Sequence, residues 1–351
     1  MAEKTREMAS SVANRGMDVR SVPGKVVVLG TGGTIAGTAA TQGDNIGYTA
    51  AQVGVAQLLE AIPALQQLGF AVVTEQVAQV DSKDMDNGIW QTLARRVAHW
   101  LAEPDVQGIV ITHGTDTLEE TAFFLQCVLD PLKPVVLTCA MRPASSLSPD
   151  GPQNVLDAVA VANTPGARGV VAVCAGVLHG AFDVQKVHTY RLDAFGSGDA
   201  GPIGHVEEGA VRQLRSWPSG GLALLPSRPK NATSADAAVH ASLAAAVEAT
   251  PVADWPRVEI VMSHAGAGAG VVRAVVAQGV DGLVVATTGN GTVHHALDAV
   301  LLEASASGVQ VLRATRCTSG RILATAGATL PDAGGLSPVK ARVALMLARL
   351  A

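Results

Sequence analysis

The chain has 351 residues, 48% of them apolar but only 3% aromatic, and a formal charge of -5. That length suggests two domains with sizeable cores, packed by Ala, Val, Leu and Gly as in α/β folds. The lack of a basic excess argues against a nucleic-acid partner. The widely spaced Cys127, Cys139, Cys174 and Cys317 form no CxxC pair, so they read as buried free thiols rather than a zinc site or disulfide framework.

Residues 1–23 mix charges with small residues and lack the apolar stretch of a secretory signal, so they read as a tail. No apolar run is long enough to span a bilayer, and the expected compartment is the cytoplasm. From Gly24 the pattern alternates. KVVVLG reads as a strand buried on both faces. VGVAQLLEAIPAL reads as a helix through Val53, Leu58, Leu59 and Ile62, and GFAVVTEQVAQV is β-rich. NGIWQTLARRVAHWL places Ile89, Leu93, Val97 and Trp100 on one helical face. GIVIT, PVVLTCA and GVVAVCAG continue as strands, separated by the helices LEETAFFLQCVL and NVLDAVAVAN. Such β-α repeats imply a mostly parallel sheet with helices on both faces, a flavodoxin-like or Rossmann-like α/β arrangement.

Between about Val211 and Trp255 proline, glycine and polar residues loosen the pattern around an Ala-rich helical piece. The expected division is a tail at 1–23, a larger N-terminal α/β domain at 24–215, a connection at 216–254, and a smaller C-terminal α/β domain at 255–351. In the last, VEIVMSH, GLVVATT and VQVLRAT read as strands, with helices at VVRAVVAQG and HHALDAVLLEASAS. The final helix, SPVKARVALML, starts with Ser337 as N-cap and Pro338 in the first turn.

Ligands of open α/β sheets bind beyond the carboxyl ends of the strands. The loops there are TGGTIAG, DSKDMD, HGTDT and MRP, all on one edge of one sheet. TGGTIAG fails both nucleotide fingerprints. GxGxxG from Gly30 needs glycine where Ile35 stands, and a Walker loop from Gly32 needs lysine where Thr38 stands. What remains is Thr34, a hydroxyl left uncovered by glycines, able to attack a carbonyl once a base takes its proton. The alternative is a tight turn whose hydroxyls bond the backbone. In HGTDT, Thr117 and Glu120 form a T-x-x-E capping box. Thr115 and Asp116 set a hydroxyl beside a carboxylate, which can place a water or hold an ammonium. DSKDMDNG lacks the twelfth-position Glu of a calcium loop, so no metal is implied, and no cofactor.

Together, VVLGTGGTIAG and GIVITHGTDTLEETAFFL resemble the two signature segments of the bacterial-type asparaginase/glutaminase family of amidohydrolases. YTAAQVGV, IWQTLARRVA, CAMRPASSLSPDGPQN and SPVKARVALML resemble further family segments in order, over nearly all of the chain from Gly24. The resemblance implies hydrolysis of L-asparagine to L-aspartate and ammonia through a threonine acyl-enzyme. It makes Thr34 the nucleophile and Tyr48 the tyrosine that closes over it, with GTAATQGDNIG between them as a lid. It gives Thr115 as the second threonine, Asp116 as the carboxylate for the substrate α-ammonium and Ser82 as the contact for the α-carboxylate. Lys186, in DVQKVHTY, is implied behind Thr115, where burial would lower its pKa and let it accept a proton through Thr115. Gly33 and Ala140 are implied to line the pocket. The partner is a small amino-acid substrate, and the implied assembly is a homotetramer or homodimer. The alternatives are a broader glutaminase–asparaginase or other amidase on the same fold, and a non-catalytic amino-acid-binding protein.

The chain departs from the family pattern at several positions. Lys83 stands where many members have Gln. SHAGAGAG puts Gly266 where many have an asparagine that reaches a neighbouring subunit's site. TRCTSGRI lacks the acidic residue of the corresponding loop, so the cross-subunit contacts to the substrate ammonium are expected either to be missing or to be replaced by Ser263 or His264. His294 and His295 read as the start of a helix.

Overall fold

The computed structural model describes residues 24–41, 43–220, 236–323 and 325–350. The expected tail at 1–23 and the stretch 221–235 of the expected connection lie outside them. In chain order the first unit runs β1 (Lys25–Gly32), β2 (Thr38–Ala39), β3 (Tyr48–Thr49), α1 (Val55–Glu60), β4 (Ala71–Val80), α2 (Asn87–Ala102), β5 (Val106–Thr112), α3 (Leu118–Leu129), β6 (Pro134–Thr138), α4 (Gly151–Ala162), β7 (Gly169–Cys174), β8 (Val177–Gly180), β9 (Gln185–Lys186), β10 (Phe195–Gly196), β11 (Gly204–Glu207) and β12 (Ala210–Gln213). Eight of these strands form one sheet, in the order β12-β11-β8-β7-β6-β5-β1-β4. The five strands from β7 to β4 are parallel. The other three are antiparallel and extend the sheet as a meander, which the β-α alternation of the sequence did not foreshadow.

Alternation within the strands feeds two cores. Val27, Leu29, Ile109, Ile111, Val135 and Leu137 enter one, which α2 and α3 cover. Val26, Val28, Val110 and Val136 enter the other, which α1 and α4 cover. A strand with helices on both faces has no solvent side, so β1 reads as an unbroken apolar run. On α2 the buried set is Trp90, Leu93, Ala94 and Val97, so the core face is displaced from the expected stripe. Trp90 outcompetes Ile89 because its ring stacks on Phe124, with centroids 4.9 Å apart. Trp100 stays partly exposed and donates its indole N–H to Glu75 at 2.7 Å. The expected helix at 53–65 ends at Glu60, and a 3-10 turn, Pro63–Gln67, follows. The proline brings no backbone N–H and forces Ile62 out of helical geometry.

The second unit follows α5 (Asp236–Ala249) and runs β13 (Val258–Met262), α6 (Gly270–Ala277), β14 (Gly282–Thr287), α7 (His295–Ala306), β15 (Gln310–Thr315) and α8 (Pro338–Leu350). Its three strands are parallel, in the order β13-β14-β15. His294 caps α7 by accepting from the Ala296 N–H at 3.2 Å. α8 packs on both units, and a single hydrophobic cluster takes in Trp90 and Phe124 together with Val284, Leu312, Val343 and Leu347. At that junction Lys340 is fully buried, and its Nζ donates to the carbonyls of Phe182 at 2.9 Å and Val184 at 2.5 Å. Cys127, Cys139 and Cys174 are buried, but Cys317 is exposed, contrary to expectation, because it stands two residues past the end of β15 and lies in a loop.

Three loops interlock at the carboxyl edge of the large sheet. The Gly33 N–H donates to Val80 O at 2.9 Å, and the His113 N–H to Thr138 O at 2.9 Å. A Cβ on Gly33 would lie 2.3 Å from the Gly114 Cα, and one on Gly114 would lie 2.4 Å from the Ser82 Oγ. Gly33 also has φ +81°, which L side chains rarely adopt.

Gly33→Ala is therefore expected to lower the urea unfolding midpoint well beyond Gly201→Ala. At Gly201 φ is +67° and ψ 175°, a conformation essentially reserved for glycine, but nothing lies within 4 Å of the added Cβ, so only backbone strain of roughly 1–3 kcal/mol applies. Lys340→Met is expected to cost roughly 1–3 kcal/mol for each of the two carbonyls it orphans, read from the same urea titration.

Candidate active site

The interlocked loops surround a cavity of about 280 Å³. Thr34, Tyr48, Ser82, Thr115, Asp116 and Lys186 all line it. Thr34 opens a single 3-10 turn, Thr34–Ala36, straight after β1, and its side chain is almost wholly buried. Its Oγ1 lies 2.7 Å from the Tyr48 Oη. Tyr48 gets there because the segment 37–47 doubles back: β2 and β3 pair antiparallel, Ala39 opposite Tyr48. The turn is pinned by the Ala39 N–H donating to Ser145 Oγ at 2.9 Å. Asp44 Oδ1 accepts from the Gly47 N–H at 2.8 Å and the Ile46 N–H at 2.9 Å, and these bonds hold its carboxyl below the usual carboxylate range.

Thr115 follows β5 on the opposite loop. Its Oγ1 accepts from the Lys186 Nζ at 2.8 Å, and that ammonium also reaches Asp116 Oδ1 at 2.6 Å. Lys186 is thus an ion-paired donor, partly exposed, rather than the isolated buried lysine expected from the sequence; the adjacent carboxylate supplies the counter-charge. The Thr115 backbone N–H has no partner among the described residues. Ser82 Oγ accepts from the Asp116 N–H at 3.1 Å.

The expected capping box does not form. Thr117 donates its hydroxyl to the Ser82 carbonyl at 2.7 Å, and Glu120 faces Arg342 at 3.5 Å. The Thr117 hydroxyl is engaged by the Ser82 carbonyl and caps no N–H of α3, so tertiary contact overrides the local motif. Beneath the loop His113 is fully buried, and desolvation pushes its imidazole down to about 4, so the ring is neutral. Its Nδ1 donates to Gly114 O at 2.7 Å, which leaves Nε2 to accept from Thr121 Oγ1 at 3.0 Å. Thr121 in turn accepts the Trp90 indole N–H at 2.9 Å. The buried chain fixes the carbonyl next to Thr115.

Two expected lining residues sit elsewhere. Ala140 turns its side chain into the core beside Gly151, and Met141 forms the wall at that point. Gly33 lies behind the cavity against Gly114. Asn45, Ile46, Asp81, Thr189 and Tyr190 also line the cavity and were not singled out in the sequence. Each lies in a stretch that was: Asn45 and Ile46 in the lid GTAATQGDNIG, Asp81 in DSKDMD, and Thr189 and Tyr190 at the end of DVQKVHTY. Lys83 is held at the surface between Asp81 at 2.9 Å and Asp84 at 2.8 Å. Neither Ser263 nor His264 lines the cavity. Ser263 Oγ is buried and accepts from the His294 N–H at 3.0 Å, and His264 is exposed. Gly266 adopts φ +75°.

Comparison with known proteins agrees with this geometry. Residues 25–218 match the family model "Asparaginase, N-terminal", and residues 257–350 match "Glutaminase/Asparaginase C-terminal domain". The chain is 34% identical to L-asparaginase 2 of Bacillus subtilis over 98% of its length and 86% of the relative's. It is 35% identical to the glutaminase-asparaginase of Pseudomonas fluorescens over 92% of its length and 85% of the relative's. Among solved structures, that of a probable cytoplasmic L-asparaginase from Campylobacter jejuni superposes with a TM-score of 0.79 at 34% identity, covering 93% of this chain and 95% of that one. Two signature loops meeting at one cavity, family models spanning both units, and relatives aligned over almost the full length make this chain a member of the asparaginase family.

Proposed function

We propose that the chain hydrolyses L-asparagine to L-aspartate and ammonia, with Thr34 as nucleophile. One observation carries the reading: two threonine hydroxyls line one small cavity, each hydrogen-bonded to a different polar partner, Tyr48 for Thr34 and Lys186 for Thr115. A binding protein needs no such pair of hydroxyls, whereas two-step acyl transfer uses one to attack and one to guide water.

In this mechanism the Thr34 Oγ1 attacks the carboxamide carbon, its proton passing to the Tyr48 oxygen as the Tyr48 hydroxyl hands its own proton to the amide nitrogen. The C–N bond breaks, ammonia leaves with the proton it received, and an ester to Thr34 remains. Water beside Thr115 then attacks the ester, giving the carboxylate and restoring the Thr34 hydroxyl. The Lys186 ammonium draws electron density from Thr115 and offsets the Asp116 carboxylate. The unpartnered Thr115 N–H is suited to the developing oxyanion. Asp116 is the carboxylate for the substrate α-ammonium, and Ser82 the hydroxyl near the α-carboxylate. Ala140 and Gly33 act through the wall and the loop packing, not by side-chain contact.

A second reading, acceptance of glutamine as well, is favoured by the glutaminase-asparaginase relatives. Assembly as a homotetramer or homodimer belongs to the same proposal and is checked by light scattering. Cytoplasmic residence is favoured by the Campylobacter jejuni structure's description, and among the described residues no helix is long and apolar enough to cross a membrane. In the domain division that goes with this reading, 24–215 and 255–351 are the two α/β units and 216–254 the connection, with every cavity residue in the first.

Ammonia release from asparagine, glutamine and simple amides decides among these readings. Tight asparagine binding with no ammonia would favour the binding protein instead. Thr34→Ala is expected to abolish turnover while leaving the fold intact by circular dichroism, and near-normal turnover would sink the nucleophile assignment. Tyr48→Phe removes the one hydroxyl on Thr34 and is expected to lower kcat by about a hundredfold or more.

A further inference from the structure

An ammonium in a protein core costs several kcal/mol of desolvation, to order of magnitude, unless acceptors surround it. A methionine of similar length would fill the position of Lys340 without that cost. Its two bonds point to one short stretch. Phe182 O and Val184 O belong to the segment between β8 and β9, and Lys186 lies two residues beyond the second carbonyl. Glu119, in the first turn of α3, shares this environment: burial pushes its carboxyl up, and the Lys340 charge and the Lys186 backbone N–H draw it back down. α3 starts two residues after Asp116, so Glu119 sits on the element that continues the Thr115 loop.

We infer that Lys340, acting with Glu119, positions Lys186 against Thr115, so that the C-terminal unit sets the geometry of a cavity it does not line. This rests on the asparagine-hydrolysis reading for its consequence in turnover. Lys340 touches no substrate and is a positioning residue. It fixes the backbone of residues 182–186, and the Lys186 side chain then spans to Thr115 Oγ1 at 2.8 Å and Asp116 Oδ1 at 2.6 Å. The antiparallel pairing of Lys186 with Phe195 closes the third side.

The test uses the full chain with Lys340→Met and Glu119→Gln, assayed well below their unfolding midpoints. Two quantities are read: kcat and KM for ammonia release from asparagine, and the rate at which an amine-acylating ester labels Lys186, mapped by mass spectrometry with surface Lys83 as control. Lys340→Met is expected to lower kcat by about tenfold with KM little changed, since small misplacements of a catalytic group act on the rate. Lys186 is expected to label several-fold faster, with Lys83 unaffected. Glu119→Gln is expected to move both readouts in the same direction by less, and it decides the matter if Lys340→Met does not fold. Wild-type kcat and labelling in either variant overturns the inference, as does a lowered kcat with unchanged Lys186 labelling. A wild-type chain that releases no ammonia defeats the functional reading alone, since the labelling ratio still reports the clamp.

Discussion

The contact between Gly33 and Gly114 sets the rest of the site. Strands β1 and β5 are neighbours in the sheet, so their following loops must pass within a backbone's width of each other. They do so only because neither glycine carries a Cβ. The residues that come next are Thr34 and Thr115, and the contact delivers both hydroxyls to one cavity. Ser82 joins from the neighbouring edge strand by packing on Gly114, and it passes the constraint to Asp116 through a hydrogen bond. The precision of the hydroxyl placement is thus a property of backbone packing at the sheet edge.

Around that contact the polar groups are partitioned. Thr34 has a phenol, Thr115 an ammonium, and the two networks do not share a partner among the described residues. The Thr115 side is the more heavily braced. His113, Thr121 and Trp90 hold Gly114 from below with one permitted direction for every proton, because the indole can only donate and the carbonyl can only accept. The Thr34 side is held instead by a short hairpin tied through Ser145 and Asp44. A braced loop facing a lightly tied hairpin is the asymmetry a site needs if substrate is to enter from one side.

Much of this was legible in the sequence. TGGTIAG and HGTDT follow buried strands, so strand order alone brings Thr34 and Thr115 to one edge, and Tyr48, Ser82, Asp116 and Lys186 came with the family resemblance. The failures share a cause. Thr117 looked like a cap because the capping pattern is local, while its actual acceptor, the Ser82 carbonyl, is 35 residues away. Ile89 was preferred to Trp90 because periodicity counts apolar positions but does not weigh a ring that stacks on Phe124. Lys340 drew no reading at all, since nothing in SPVKARVALML reveals that two carbonyls of another unit wait in the core. Met141 takes the cavity wall in place of Ala140, which lies past the end of β6 with its side chain in the core.

The hydrophobic cluster that runs from Trp90 and Phe124 into Val284, Leu312 and α8 carries a consequence for folding. Sequence and family models divide the chain into two units, yet the packing does not respect the division. Helix α8 closes a core whose other walls come from both units. The larger unit therefore cannot complete its core without α8, and on heating the two units are expected to melt in one cooperative transition, not in two.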